Sequence, residues 1–292
     1  MNEKTAQVPS LRQLVAGDET IVAPAALNPL MAKLAEAAGF KALYLSGGSL
    51  GWLKAVTEAN LTLTEMIAAG LEITSTCALP LILDSAGGWG DPMHVHRTIA
   101  LAERAGFQGI EIEDQLLPKR VHHHVGTDHL VPAELLVMKI REAVAARTNP
   151  DLLVIARTDA AKMLGIDEAV RRMEACKKAG ADVLFVWTRS GEEMRFVAER
   201  LPAPLMVFAP RDGTAALPLP LPEMARLGYR VVGVPVVPLL SIHHALQQTY
   251  AALAAGRPDP ALAEGAEHEL QSVFRTVGLQ KMLDIEANTV GI

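Results

Sequence analysis

Four times in this chain a helix-like segment ends at a glycine and an apolar run follows within a few residues. The instances are EAAGFKALYLSG (36–47), ERAGFQGIEIED (103–114), CKKAGADVLFVW (176–187) and ARLGYRVVGVP (225–235). Gly39, Gly106, Gly180 and Gly228 stand where a helix C-terminus requires a left-handed residue, a conformation that costs a residue without Cβ almost nothing. A second kind of strand alternates with these and is introduced by proline: Pro80-LILD, Pro150-DLLVIARTD and Pro204-LMVF, with TIVAPAA (20–26) as the first of that set. The runs are short and continuously apolar, as strands are when both faces are covered. Eight such strands alternating with helix-length segments predict an α/β fold, a closed (β/α)8 barrel rather than an open doubly wound sheet. With no linker or low-complexity stretch, residues 1–292 read as one barrel domain carrying a helical extension over about 261–292.

Composition narrows the function. Half the residues are hydrophobic and only 4% are aromatic, which suits helices packed on a parallel sheet. A net charge of −6 and basic runs no longer than pairs such as Lys119-Arg120 and Lys177-Lys178 exclude a nucleic-acid partner from the expectation. Cys77 and Cys176 are isolated, without metal spacing, and read as buried thiols of a reducing compartment. The start, MNEKTAQVPSLRQLVAG, has no apolar core of a signal peptide. The most apolar run, Val231 to Leu240, is too short and proline-broken to span a bilayer. The expectation is a soluble cytoplasmic protein without a membrane partner.

Barrels of this kind place their sites at the C-terminal ends of the strands. There the sequence sets Ser46-Gly47-Gly48-Ser49 after strand 2, a turn able to offer N–H groups to an anion. Asp84 and the loop SAGGWGD follow strand 3, Glu111, Glu113 and Asp114 lie on strand 4, and Arg157-Thr158-Asp159 end strand 5. Asp84 could be a helix cap, but Asp91 before Pro92 is the better one. Glu111 and Glu113 are two apart, hence on one strand face, and inward carboxylates are costly unless a cation or donor compensates them. Arg157 can serve as a carboxylate fork or as the partner of a barrel glutamate. Three carboxylates from adjacent strands with an arginine point to a hard divalent cation such as Mg²⁺, chelated by a small 2-oxo or 2-hydroxy acid.

YLSGGS (44–49), LDSAGGWGD (83–91), IEDQLLPKR (112–120) and IARTDA (155–160) together resemble the signature segments of the isocitrate lyase/phosphoenolpyruvate mutase superfamily, and NPLMAKLAEAAGF (28–40) fits its first helix. The resemblance implies Mg²⁺ holding a 2-oxo acid or its enolate, cleavage or formation of C–C or P–C bonds, and a mobile loop after strand 4. It also implies a homotetramer whose subunits exchange a C-terminal helix. By the same resemblance Ser46, Gly47 and Gly48 hold the substrate carboxylate and Asp84 is the direct metal ligand. Glu113 holds metal-bound water, Arg157 binds substrate, and Lys119 to Val125 form the gating loop.

The chain departs from that pattern at several points. The second aspartate of the metal motif is Ala86, and Glu111 is the expected replacement. The position of another of the family's acids, after strand 2, falls on Thr57, with Glu58 beside it. The loop cysteine of the lyases is missing from Lys119-Arg120-Val121-His122-His123-His124. With Lys119, His122 and His123 can supply titrating groups, or the loop can simply be a solvated histidine run. His94 and His96 diverge on a helix and do not chelate, and His243 and His244 read as helix surface. Strand 8 ends Gly233-Val234-Pro235 where some oxaloacetate decarboxylases carry asparagine-glycine-histidine. Trp89, Trp187 and Phe208 would make the distal pocket apolar and favour neutral tails, unless Arg189 or Arg211 restores a carboxylate site or the rings are plain packing. The expected activity is a Mg²⁺-dependent carbon–carbon lyase or decarboxylase, oxaloacetate decarboxylase-like. The alternatives are a phosphonate-handling mutase or hydrolase and a non-catalytic ligand-binding barrel.

Overall fold

A computed structural model describes residues 8–262 and 265–291; the first seven residues of the N-terminal reading, together with 263, 264 and 292 of the tail, lie outside it. Eight parallel strands follow in order: β1 (Ile21–Pro24), β2 (Leu43–Leu45), β3 (Leu81–Asp84), β4 (Gly109–Glu113), β5 (Leu153–Thr158), β6 (Val183–Val186), β7 (Leu205–Phe208) and β8 (Tyr229–Val234). Each pairs with its sequence neighbour, and β8 returns to β1. A parallel bridge between Ala25 and Tyr44 joins β1 to β2, giving a (β/α)8 barrel with further helices at its C-terminal end. The helix-terminating glycines have positive φ, from 80° at Gly106 to 105° at Gly180.

Strand parity sorts the side chains. Ile21, Ala23, Tyr44, Ile82, Leu153, Ile155, Val183, Phe185, Met206, Phe208 and Val231 fill the barrel interior, where Leu11 and Val15 join them. Those two residues come from the short helix Leu11–Ala16, whose Leu11 N–H donates to Gln108 Oε1 at 2.9 Å. The opposite strand faces pack against the surrounding helices in a larger cluster containing Leu43, Leu83, Ile110, Ile112, Val154, Ala156 and Val232. Both cysteines are buried and unpaired.

Past β8 the helix Val237–Ala254 is followed by Ala266–Val277 and Leu279–Thr289, joined at the left-handed Gly278. Neither of the last two helices buries a residue, and Leu270, Val273, Val277, Met282, Leu283 and Ile285 are all exposed. Among the described residues no helix is long and apolar enough to cross a membrane.

Close helix-on-strand packing depends on glycine at one position in particular. A Cβ on Gly70, within the helix Leu63–Thr74, would stand 2.0 Å from Cζ of buried Phe107. Gly70→Ala is therefore expected to destabilise the fold by about 1–3 kcal/mol through overpacking, measurable as a lower urea midpoint with an unchanged slope.

Candidate active site

The inward parity that fills the lower barrel with hydrocarbon places polar groups at its upper end. Asp84, Glu111, Glu113, Arg157 and Asp159 are all buried there. Register sets Asp84 opposite Glu111, and Glu113 opposite Arg157. Glu58 joins them from the one-turn helix Glu58–Asn60, its side chain only 9% exposed. Gly51 permits this approach, since a Cβ there would lie 2.9 Å from the Glu58 backbone nitrogen. A Cβ on Gly47 would likewise meet Glu58 Oε1 at 3.0 Å and Asp84 Oδ2 at 3.3 Å. Glycine at both positions lets a carboxylate pair form beside the backbone.

Five carboxylates thus face two permanent cations. Lys119 Nζ bridges Glu58 Oε1 and Glu113 Oε1, the latter at 2.7 Å. Burial would discharge Lys119, but Glu113, Glu58 and Asp84 hold it protonated. Burial also opposes charge on Glu58, yet Lys119 and His123 keep its carboxyl well below the usual range. For Asp84 and Glu113 the neighbouring cations do not offset burial. Burial, with repulsion from Glu58, raises Asp84. Burial pushes Glu113 up to about 7 against the pull of Lys119 and Arg157.

The donor set fits a hard divalent cation. Glu113 Oε2 is buried without a hydrogen-bond partner; Arg157 Nη1 lies 3.2 Å away but outside hydrogen-bond geometry. Asp84 accepts from the Gly47 N–H at 3.0 Å and the Ala86 N–H at 3.1 Å, which leaves lone pairs on both oxygens. Among the described residues no three His, Cys, Asp or Glu side chains are drawn into a ready metal-holding group. The Lys119 ammonium instead takes the place of a cation between Glu58 and Glu113.

Several expectations are corrected. Glu111 does not stand in for the acid lost at Ala86: it lies one inward position deeper on β4, with Oε2 accepting from Tyr44 Oη at 3.0 Å and Oε1 from Arg157 Nη1 at 2.8 Å. Thr57 Oγ1 is buried without a hydrogen-bond partner, and it is the carboxylate of the neighbouring Glu58 that reaches Lys119 and the cluster. Arg157 is no free carboxylate fork, because Nε and Nη2 bind Asp159 at 3.1 and 3.2 Å. One N–H of Nη2 remains without a protein partner. Asp159 in turn accepts from Gln115 at 2.7 Å, and its own N–H donates to Asp114, which also binds Arg172. Asp114 thereby fixes the end of β5.

The loop histidines separate. His123 Nε2 lies 3.2 Å from Glu58 Oε2 and its Nδ1 2.6 Å from the Arg120 carbonyl. Two acceptors on one ring favour the imidazolium, and they raise the His123 pKa although burial opposes this. His122 instead faces His129 at 3.4 Å, and His124 packs on Trp52 with ring centroids 5.3 Å apart; neither reaches the acids through these contacts. His94 accepts from the Asp91 N–H and His96 pairs with Glu142, so the two diverge as expected.

The three aromatics also divide. Trp187 and Phe208 meet edge-on at 5.4 Å, and the Arg157 guanidinium lies 4.9 and 5.2 Å from their centroids. Trp89 is not part of that stack. It borders a cavity of about 450 Å³ that begins at Gly47, Glu58, Asp84 and Lys119. Arg189 and Arg211 are exposed. Ser46 caps the helix Gly47–Leu53 by accepting from the Ser49 N–H, and Gly47 donates to Asp84, which leaves the Gly48 N–H as the turn's unengaged donor.

Glu111 supplies a pH test. Burial pushes its carboxyl up to about 8, opposed by Arg157 and aided by Asp84 and Glu113. Its folded pKa lies above the ordinary 4.5, so the folded state holds a proton that the unfolded state releases. The associated stability is present below 4.5 and is lost as pH rises through about 8. In chelator, Glu111→Gln should flatten the fall in Tm across that window, by of order a few kcal/mol in stability. Parallel curves for mutant and wild type would refute the shift.

Three comparisons place this geometry among known proteins. The family model described as phosphoenolpyruvate phosphomutase matches residues 11–254. The chain is 34% identical to 2,3-dimethylmalate lyase from Eubacterium barkeri, over 95% of this chain and 96% of the relative. It is 38% identical to 2-methylisocitrate lyase from Aeropyrum pernix, over 77% of this chain and 73% of that one. The solved structure of phosphonopyruvate hydrolase in complex with oxalate and Mg²⁺ superposes with a TM-score of 0.83 at 31% identity, covering 96% of this chain and 98% of the other. The chain belongs to the phosphoenolpyruvate mutase/isocitrate lyase superfamily.

Proposed function

We propose that the protein is a Mg²⁺-dependent carbon–carbon lyase acting on a 2-oxo or 2-hydroxy acid through an enolate, with oxaloacetate decarboxylase-like chemistry as the simplest case. The observation that carries this reading is the buried cluster at the barrel's upper end, in which carboxylates outnumber the cations beside them, with Asp84, Glu58 and Glu113 as the residues that would hold the ion. Bound there, Mg²⁺ would supply Lewis-acid stabilisation of the developing enolate oxygen. The named lyases among the relatives support the reaction class.

The chain's own groups account for the remaining work. The Gly48 N–H and the free N–H of Arg157 can take the substrate carboxylate, with the Trp187 and Phe208 rings keeping that guanidinium in place. His123, which reaches Glu58, can return a proton to the enolate carbon, while Lys119 stays charged and holds the acids and the developing negative charge in place. The thiol acid of the superfamily's lyases is replaced by Val121, half exposed on the same loop. That replacement argues for decarboxylation or a related cleavage whose carbanion is protonated by a nitrogen acid.

Calorimetry with oxalate, a planar mimic of the pyruvate enolate, tests the site. Wild type should bind oxalate only with Mg²⁺ present, and Asp84→Ala should lose roughly 100-fold or more in affinity. Unchanged binding in that variant would remove Asp84 from the metal site.

We further propose that the exposed apolar faces of Ala266–Val277 and Leu279–Thr289 pack against neighbouring subunits in a homotetramer. Sedimentation at micromolar concentration should give four times the chain mass, and truncation before Gly265 should reduce it. A folded monomer in the full-length protein would count against this assembly.

A further inference from the structure

The loop between β3 and the helix Pro92–Arg104 is held in an unusual backbone state. Ala86 and Trp89 have φ of 47° and 53°, a left-handed region that side chains other than those of glycine, asparagine and aspartate seldom occupy. Strain of this kind persists only where surrounding structure over-determines it, and it concentrates at ligand sites. Here the determinants are visible. Lys139, a lysine only 2% exposed on the helix Ala133–Ala146, donates to the Gly87 carbonyl at 2.7 Å. Thr98 donates to the Gly88 carbonyl at 3.1 Å, and the Glu113 N–H to the Ala86 carbonyl at 2.9 Å. Lys139 has no carboxylate partner among the described residues; its buried ammonium holds the loop, and its side chain also lines the cavity bordered by Trp89.

What the strained loop presents is a cavity wall. Ala86 and Trp89 both line the space of about 450 Å³, together with Leu116, Leu117, Val131 and Leu135. The same space is also lined by Asp84, Glu58 and Lys119. That volume equals roughly fifteen waters, more than the carboxylate and carbonyl of a 2-oxo acid fill. Ala86 lines this space next to the acid cluster, its N–H donating to Asp84 at 3.1 Å. An aspartate there would tolerate the left-handed backbone better and would set a charge between acid cluster and cavity. Alanine leaves the passage small and uncharged.

We propose that this cavity is the specificity subsite of the enzyme and takes an alkyl or aryl substituent of the substrate, with Ala86 as its threshold and Trp89 as its wall. The assignment rests on the 2-oxo acid reading above. It moves the apolar tail away from Trp187 and Phe208, whose faces are occupied by Arg157. Lys139 acts as a positioning residue for the loop and does not touch the ligand's reacting end.

The test is calorimetry with Mg²⁺ on pyruvate, 2-oxobutanoate, 2-oxopentanoate, 2-oxohexanoate and phenylpyruvate, with oxalate as the head-group control. In wild type the Kd should fall by up to roughly fourfold per added methylene. Ala86→Asp, which the backbone accommodates, should flatten that gradient while oxalate still binds. Trp89→Ala should weaken phenylpyruvate at least about tenfold, relative to oxalate, by removing the wall it packs on. Trp187→Ala should leave the gradient in place. A gradient that survives in Ala86→Asp and Trp89→Ala but vanishes in Trp187→Ala would overturn the assignment and put the tail over Arg157. A flat wild-type series with tight oxalate binding would overturn the subsite and leave the enolate chemistry standing. Failure of oxalate and every oxo acid to bind would overturn both.

Discussion

The upper half of this barrel depends on how it carries more buried negative charge than its own cations neutralise. Glu58, Asp84, Glu111, Glu113 and Asp159 converge from four segments of the chain, with Lys119 and Arg157 as the fixed positive charges among them. Bringing ionised carboxylates out of water is costly unless each is paired. The molecule responds in two ways. Two of the acids are pushed toward neutrality, Glu111 to about 8 and Glu113 to about 7. Donors gather as well: Tyr44 helps hold Glu111, the Gly47 and Ala86 N–H groups hold Asp84, and Gln115 holds Asp159. Such an arrangement is poorly explained by stability and well explained by a need for cation and anion recognition at one place.

Supporting parts are arranged around that need. Asp114, pushed up to about 6 by burial and by Asp159, faces away from the interior and ties β5 to Arg172 and Thr158. The Arg157 guanidinium is covered by Phe185, Trp187 and Phe208, which limits its orientations and shields its charge from water. Phe208 in turn packs so closely on β8 that a Cβ on Gly233 would meet its ring at 2.7 Å. The glycine that opens the altered strand-8 segment is therefore accounted for by an aromatic ring.

Lys119 and His123 link the loop after β4 to the acids on which it closes. Both cations come from one short stretch of chain, and both terminate on Glu58. The same contacts that neutralise Glu58 thus hold the loop over the site. A ligand or ion that took Glu58 for itself would compete with both contacts.

The sequence by itself determined the barrel and the layer in which the site lies. Glycines at helix ends and continuous apolar strands are local signals, and strand parity carries them to three dimensions without further information; Asp84, Glu113 and Arg157 were legible for that reason. What each polar group does with its lone pairs was not legible, because that depends on neighbours distant in sequence. Glu111 is spent on Tyr44 and Arg157, Arg157 on Asp159, and His122 on His129. Glu58 carried no signal of its own in the sequence, and only the turn around Gly51 brings its carboxylate to Lys119. Lys139 gave no motif at all, since a lysine on an amphipathic helix reads as surface until the loop above it is seen to need a donor. Periodicity fixes which face a side chain takes. Only tertiary packing decides which partner it finds there, because hydrogen bonds and buried charges are satisfied across strands and loops that no local pattern connects.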